Sequence, residues 1–281
     1  MTDAETPAPH TGELGKRLAS AIVMAVLAIL AVVAGGWPFV MFWTAAAVGV
    51  FWEWSTVVTA GASVRAAGIA ALGLAAAAAG VGQLYVALAA LAAGSAGVAG
   101  ASAPRHRAWG AAGVAYAGVA VVAPVVLRRD PDFGLIAILF LFAVVWSTDV
   151  LGYFVGRAIG GPRLAPIVSP NKTWSGACGG AVGAVAAGAA VALASGAIAL
   201  VPAAAVAFLL SVASQAGDLF ESGVKRRFGV KDTSHVIPGH GGLMDRLDGF
   251  IAASGVAALI GIMHSGADAP ARGFLFLVTG G

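Results

Sequence analysis

Apolar residues in this chain run in long blocks separated by short polar breaks. The blocks fall near 18–34, 37–58, two within 66–101 parted around Gly80–Gln83, then 109–127, 133–156, 175–200, 202–221 and 243–263. A helix of ~20 residues at ~1.5 Å rise crosses the ~30 Å hydrocarbon layer of a bilayer. The pattern predicts an all-α polytopic membrane protein of about nine transmembrane helices, with a short apolar tail after the last. Residues 1–15 are polar and contain prolines, which predicts a disordered tail. Lys16 and Arg17 precede the first block as in a signal peptide, but the many later spans make it an uncleaved first helix.

Composition supports the same reading. The chain is 59% hydrophobic and only 10% charged. A soluble domain carries about 25% charged residues and cannot hide so much apolar surface. The net charge of +3 does not point to nucleic acid, because the cations sit in the breaks between spans, where the positive-inside rule explains them. With nine spans and the N-terminus inside, only Arg128, Arg129 and Arg272 of the 16 Lys and Arg fall outside. The 157–174 loop and the stretch after the eighth span then share the cytoplasmic side. The single cysteine, Cys178, excludes an intrachain disulfide and reads as a small buried apolar residue. Glu53, near the inner end of the second span, reads as an interfacial carboxylate.

Chemistry concentrates in the last third. On the eighth span Ser211, Ser214, Gln215, Asp218, Ser222 and Lys225 recur at three- and four-residue spacing, forming one polar stripe. A carboxylate inside a span is costly and normally faces a bundle interior, water or a metal. Asp149 is a second such group, and Asp245 and Asp248 share a face at the start of the ninth span. The 27 residues from Ser222 to Asp248 hold five cations, three carboxylates and two histidines. Oxygen ligands from a few carboxylates suit Mg²⁺, with substrate phosphates completing the shell. Lys225, Arg226, Lys231 and Arg246 suit phosphate oxygens. The Pro238–Gly242 segment suits a turn whose backbone approaches an anion. His235 and His240 stay ambiguous, because no Cys/His spacing suggests zinc. Structural ion pairing of these acids and bases is the competing account. No Walker-type loop or strand–GxGxxG–helix context occurs.

The Ser222–Asp248 stretch resembles the signature of the phosphatidate cytidylyltransferases (CDP-diacylglycerol synthases). It carries Ser222-x-apolar-Lys225-Arg226, then Lys231-Asp232, then Pro238-x-His240-Gly241-Gly242-apolar-x-Asp245-Arg246-apolar-Asp248. Upstream, the segments Asp149–Arg157 and Ser169–Gly176 are also similar to family segments. They depart at Asn171, where a Lys is common, and at Ser175, where a Glu is usual. The resemblance covers residues 149–250. It implies the reaction of CTP with phosphatidate to give CDP-diacylglycerol and pyrophosphate, with Mg²⁺ and room for a second cation. It implies catalytic roles for Asp218, Lys225, Arg226, Asp245, Arg246 and Asp248. Metal would lie on Asp218, Asp245 and Asp248, with Asp149 beside them. Substrate binding would fall to Lys172, Ser222, Lys225, Arg226, Lys231, Asp232 and His240.

On this reading residues 16–130 form an N-terminal bundle and 131–281 a catalytic region of one continuous membrane domain, in the plasma (inner) membrane. The expected partners are CTP, phosphatidate and the bilayer, with no nucleic acid. Helices rich in small residues suit a homodimer interface and internal packing equally. A related CTP-dependent lipid kinase or isoprenoid cytidylyltransferase remains open. An ion-coupled transporter is disfavoured, since no internal repeat is visible.

Overall fold

A computed structural model of the chain describes residues 11–58, 60–234 and 241–276. Its helices are α1 (Thr11–Ala34), α2 (Gly36–Val57), α3 (Ala62–Gly80), α4 (Leu84–Ala101), α5 (Arg107–Arg128), α6 (Gly134–Ile159), α7 (Trp174–Ser195), α8 (Leu200–Arg227), α9 (Met244–Ser265) and α10 (Pro270–Leu275). Seven of them, α3 to α9, are long and apolar enough to cross a membrane. The first helix adds a shorter apolar segment, Ala19–Ala34, and α2 is 22 residues long. The protein is therefore an all-α polytopic membrane protein.

Several local expectations change. Helix α1 starts at Thr11, inside the stretch read as a tail, and the apolar C-terminal tail holds the short, buried α10. Helix α8 runs six residues beyond its apolar block to Arg227, placing Lys225, Arg226 and Arg227 in its last turn, where cations meet the negative helix end. The proline-bearing 157–174 loop is not irregular throughout. It contains a two-stranded antiparallel hairpin, β1 (Arg163–Ala165) and β2 (Ser169–Thr173). Thr173 then caps α7, its hydroxyl accepting the Gly176 N–H at 3.1 Å.

Helices α6 and α7 pack along glycines. A Cβ on Gly176 would lie 2.6 Å from the Gly152 carbonyl oxygen, so only glycine allows this approach. In lipid, where helix association depends on close packing, such contacts hold two spans together. Helices α8 and α9 meet the same way at Gly217, where a Cβ would stand 2.6 Å from the Asp248 carbonyl oxygen. Aromatic side chains join the first half of the chain to the second. Trp43 of α2 stacks on Phe250 of α9 with ring centroids 4.7 Å apart, and Trp54 of α2 stacks on Phe220 of α8 at 6.2 Å. Cys178, expected to be buried, is exposed on α7.

At one end of the bundle, Arg128 Nε donates to the Val32 carbonyl at 2.8 Å, and Arg272 bridges Asp130 and Asp132 at 2.7 and 2.9 Å. Burial pushes the Asp130 carboxyl up, but the Arg272 hydrogen bond and the N–H groups of Phe133 and Asp132 outweigh it and hold the group below its ordinary value. The signature stretch lies at the opposite ends of α8 and α9.

Candidate active site

The polar stripe of α8 faces inward. Ser211 accepts from Thr148 of α6 at 2.9 Å and from Gln215 at 3.2 Å, and Gln215 also reaches the Ala177 carbonyl of α7 at 3.3 Å. These bonds satisfy polar groups within the bundle and fix the rotation of α8. One to four turns further along, the same face opens into a cavity of ≈ 1060 Å³ between α6, the hairpin, α7, α8 and the start of α9. Its wall carries the cations Arg157, Arg163, Lys172, Lys225 and Arg246, and the carboxylates Asp149, Asp218, Glu221, Asp232, Asp245 and Asp248.

Three of the acids converge. Carboxylate oxygens of Asp218, Glu221 and Asp248 lie within 4.8 Å of one another. The first two stand three residues apart on α8, so one helix face presents both. Asp248 arrives from α9 because Gly217 lets the two backbones close up at that level. Glu221 is 1% exposed, and neither carboxylate oxygen has a hydrogen-bond donor. Lys225 Nζ stands 2.8 Å from one of them as an ion pair without hydrogen-bonding geometry. Three clustered carboxylates, one buried with open lone pairs, are a donor set suited to a hard divalent cation. Sequence reasoning passed over Glu221 as the end of a span. Its position, three residues after Asp218 and four before Lys225, was the signal.

Asp245 lies beside Glu221 but outside this group of three. Its Oδ1 takes Lys225 Nζ at 2.6 Å, and its Oδ2 takes the Gly242 N–H at 2.9 Å, with the Thr233 hydroxyl and N–H at 3.2 and 3.3 Å. Both Asp245 oxygens thus accept from donors of the protein itself. Lys172 of β2 forms an ion pair with Asp218, so the hairpin brings a cation to the edge of the acid cluster. Ser222 lies 3.5 Å from Asp218, too far for more than a weak contact.

The remaining expectations divide. Asp149, Asp232 and Arg246 line the cavity. Arg226 is exposed and reaches only the Val230 carbonyl at 3.4 Å, and Lys231 is exposed outside the cavity wall. Arg157 and Arg163, not singled out in the sequence, take places on that wall; Arg157 also donates to Tyr153 at 3.1 Å. His235, Pro238, Gly239 and His240 lie outside the described residues. Glu53, read as interfacial, is packed inside the protein: it is 2% exposed and accepts hydrogen bonds from the segment leading into α9.

A second cavity of ≈ 550 Å³ runs between α1, α2, α6 and α9, with walls such as Ala25, Trp43, Val145 and Phe250. Asp149 and Arg246 belong to the walls of both cavities, so the polar site and this apolar groove meet at those two side chains.

The model of the Cytidylyltransferase family matches residues 15–263. The chain belongs to that family. It is 41% identical over 267 residues to the phosphatidate cytidylyltransferase of Brucella suis, covering 93% of this chain and 98% of that protein. It is also 44% identical over 130 residues to the Haemophilus influenzae protein of that name (44% and 45% covered). With the Bacillus subtilis one it shares 40% over 126 residues (44% and 47% covered). The acid cluster and the cation-rich wall are thus features of a cytidylyltransferase-family chain.

Proposed function

We propose that this protein is a nucleotidyltransferase that joins CTP and phosphatidate to give CDP-diacylglycerol and pyrophosphate at the membrane surface. The observation that carries this reading is the meeting of the two cavities. A polar chamber with three clustered acids and five cations suits a nucleoside triphosphate, and an apolar groove that opens into it suits acyl chains. A substrate that is half phosphate and half hydrocarbon fits across the seam at Asp149 and Arg246.

Asp218, Glu221 and Asp248 are the residues that would hold Mg²⁺; when bound, the ion neutralises phosphate charge and orients the triphosphate. The chain's own groups then do the positioning. Lys172, Arg157 and Arg163 line the hairpin side and are assigned to the phosphates of CTP. Arg246, at the seam, is assigned to the lipid phosphate, where its planar fork can make two hydrogen bonds. Lys225 is fixed between Asp245 and Glu221, so its ammonium offers a preorganised charge as the pyrophosphate departs. A phosphatidate oxygen attacks the α-phosphorus; the new P–O bond forms as the α–β anhydride bond breaks, and both electrons leave on pyrophosphate. The phosphate monoester is already ionised at neutral pH and requires no dedicated base. Asp245 acts by holding Lys225 and not as a metal ligand. The excess of cations on the signature side supports a site on the cytoplasmic face of the plasma membrane.

The deciding experiment uses purified protein in detergent with CTP, phosphatidate and Mg²⁺. CDP-diacylglycerol formation by the parent, lost in Asp218→Asn while the protein stays folded, is the expected result. A parent that yields no product over a range of phosphatidates and Mg²⁺ concentrations would overturn the reading.

A further inference from the structure

Helix α9 begins without a cap of its own. Its N-cap residue is Leu243, which has no side-chain acceptor, although the first N–H groups of a helix have no partner within it. A side chain from the first half of the chain supplies the missing acceptor. Glu53 Oε1 accepts from the Leu243 N–H at 2.8 Å and the Ser234 hydroxyl at 2.6 Å. Its Oε2 accepts from the Met244 N–H at 2.7 Å and the Thr233 hydroxyl at 3.0 Å. One carboxylate, 2% exposed, therefore grips both ends of the segment that precedes α9. No Lys or Arg pairs with it among the described residues; the N–H and hydroxyl donors and the positive end of α9 balance its charge. Gly49, one turn earlier on α2, faces the same segment: a Cβ there would come 2.7 Å from Leu243 Cδ2.

We propose that Glu53 is a positioning residue for the transfer reaction, acting through Asp245 on Lys225. The inference rests on the functional reading above. Glu53 does not line the polar cavity, so it touches no substrate. Its link to the cavity is short. The Thr233 hydroxyl proton is shared between Glu53 Oε2 at 3.0 Å and Asp245 Oδ2 at 3.2 Å. The Gly242 N–H that holds the same Asp245 oxygen directly precedes the two N–H groups that Glu53 takes. The other Asp245 oxygen holds Lys225, which also stands against Glu221 of the acid cluster. Without Glu53, the freed N–H groups of Leu243 and Met244 would turn towards Asp245 or water, and Lys225 would lose its fixed place.

The test compares the full-length parent with Glu53→Gln, Glu53→Asp, Thr233→Val and the Glu53→Gln/Thr233→Val double variant. The glutamine keeps the shape but points an NH₂ group at donors. We expect kcat to fall about tenfold or more in Glu53→Gln, with KM for CTP and for phosphatidate within about twofold of the parent. Backbone amide exchange at Gly242, Leu243 and Met244 should quicken. Glu53→Asp should recover part of kcat, and Thr233→Val should cost less in the glutamine background than alone, because both act through one link. If Glu53→Gln does not fold, Thr233→Val carries the test and should lower kcat at an unchanged melting midpoint. Parent-like kcat in Glu53→Gln, a loss that only tracks the folded fraction, or losses that simply multiply would each overturn the proposal. A parent that forms no product sinks the functional reading itself, whereas quickened exchange at these amides would still establish Glu53 as the tether of α9.

Discussion

At the scale of single residues, the acids of this site are not equivalent, although the sequence presents them as similar. Asp218, Glu221 and Asp248 cluster, with Asp218 paired to Lys172, Asp248 accepting from the Gly249 N–H and the Glu221 oxygens without a hydrogen-bond donor, while both Asp245 oxygens accept from Lys225, Thr233 and the Gly242 N–H. The two kinds should fail differently. Asp218→Asn, Glu221→Gln and Asp248→Asn should each lower the rate of CDP-lipid formation by roughly 100-fold or more, the scale of losing a group that stabilises developing charge. Raising Mg²⁺ should restore part of the rate in the weakest-binding of these variants. Asp245→Asn should lose comparable rate with no response to Mg²⁺, since it acts on Lys225. Titration of activity against Mg²⁺ for the four variants separates these outcomes. An Asp245→Asn variant rescued by Mg²⁺ would return that residue to the metal set.

Among the helices and their connections, small residues and loop ion pairs set where the chemistry stands. Gly217 holds α8 against the Asp248 carbonyl. Gly217→Val would force the helices apart, costing about 1–3 kcal/mol as overpacking does, and would part Asp248 from Asp218. Loss of activity together with a lower melting midpoint is expected, while Gly223→Ala, whose Cβ would meet nothing within 4 Å beyond its own helix, should leave both unchanged. At the far end, Arg272 ties α10 to the Asp130 loop. The Asp130 carboxyl is held below its ordinary value, so its contribution to stability is complete above about pH 4 and disappears as pH falls through its lowered folded value. Asp130→Asn should therefore lower the melting midpoint at neutral pH, and the gap from the parent should close in strong acid. A gap that persists unchanged at low pH would show that the pair is not its source.

Over the whole molecule, the polar cavity and the apolar groove meet at Asp149 and Arg246. If acyl chains lie in that groove, narrowing it should affect long lipids and spare short ones. Ala25→Trp on α1 should raise KM for a long-chain phosphatidate about tenfold, a shift worth ~1.4 kcal/mol and comparable to losing burial of two methylenes. KM for a dihexanoyl phosphatidate and for CTP should not move. Equal effects on both lipids would place the chains elsewhere.

The chain by itself determined its solvent, its helices and the neighbourhood of its chemistry. The length of an apolar block, its bounding charges and the i, i+3 and i+4 stripe on α8 are local properties, fixed by rise per residue and by the cost of placing charge in hydrocarbon. Asp149 and the charge-dense Ser222–Asp248 stretch were legible for the same reason, and Lys172 only through the resemblance to the phosphatidate cytidylyltransferases. Tertiary structure alone decided which acids meet. Glu221 joins Asp218 and Asp248 because α8 and α9 close at Gly217, and Asp245 is drawn into hydrogen bonds with Lys225 and with the Gly242 N–H that precedes its own helix. Glu53 could not be placed from sequence, since its partners lie 180 or more residues away and are mostly backbone N–H and hydroxyl groups with no pattern to read. The hairpin was hidden by prolines that read as irregular loop, and the apolar groove is a gap between four helices, a property of how they pack and of no one of them alone.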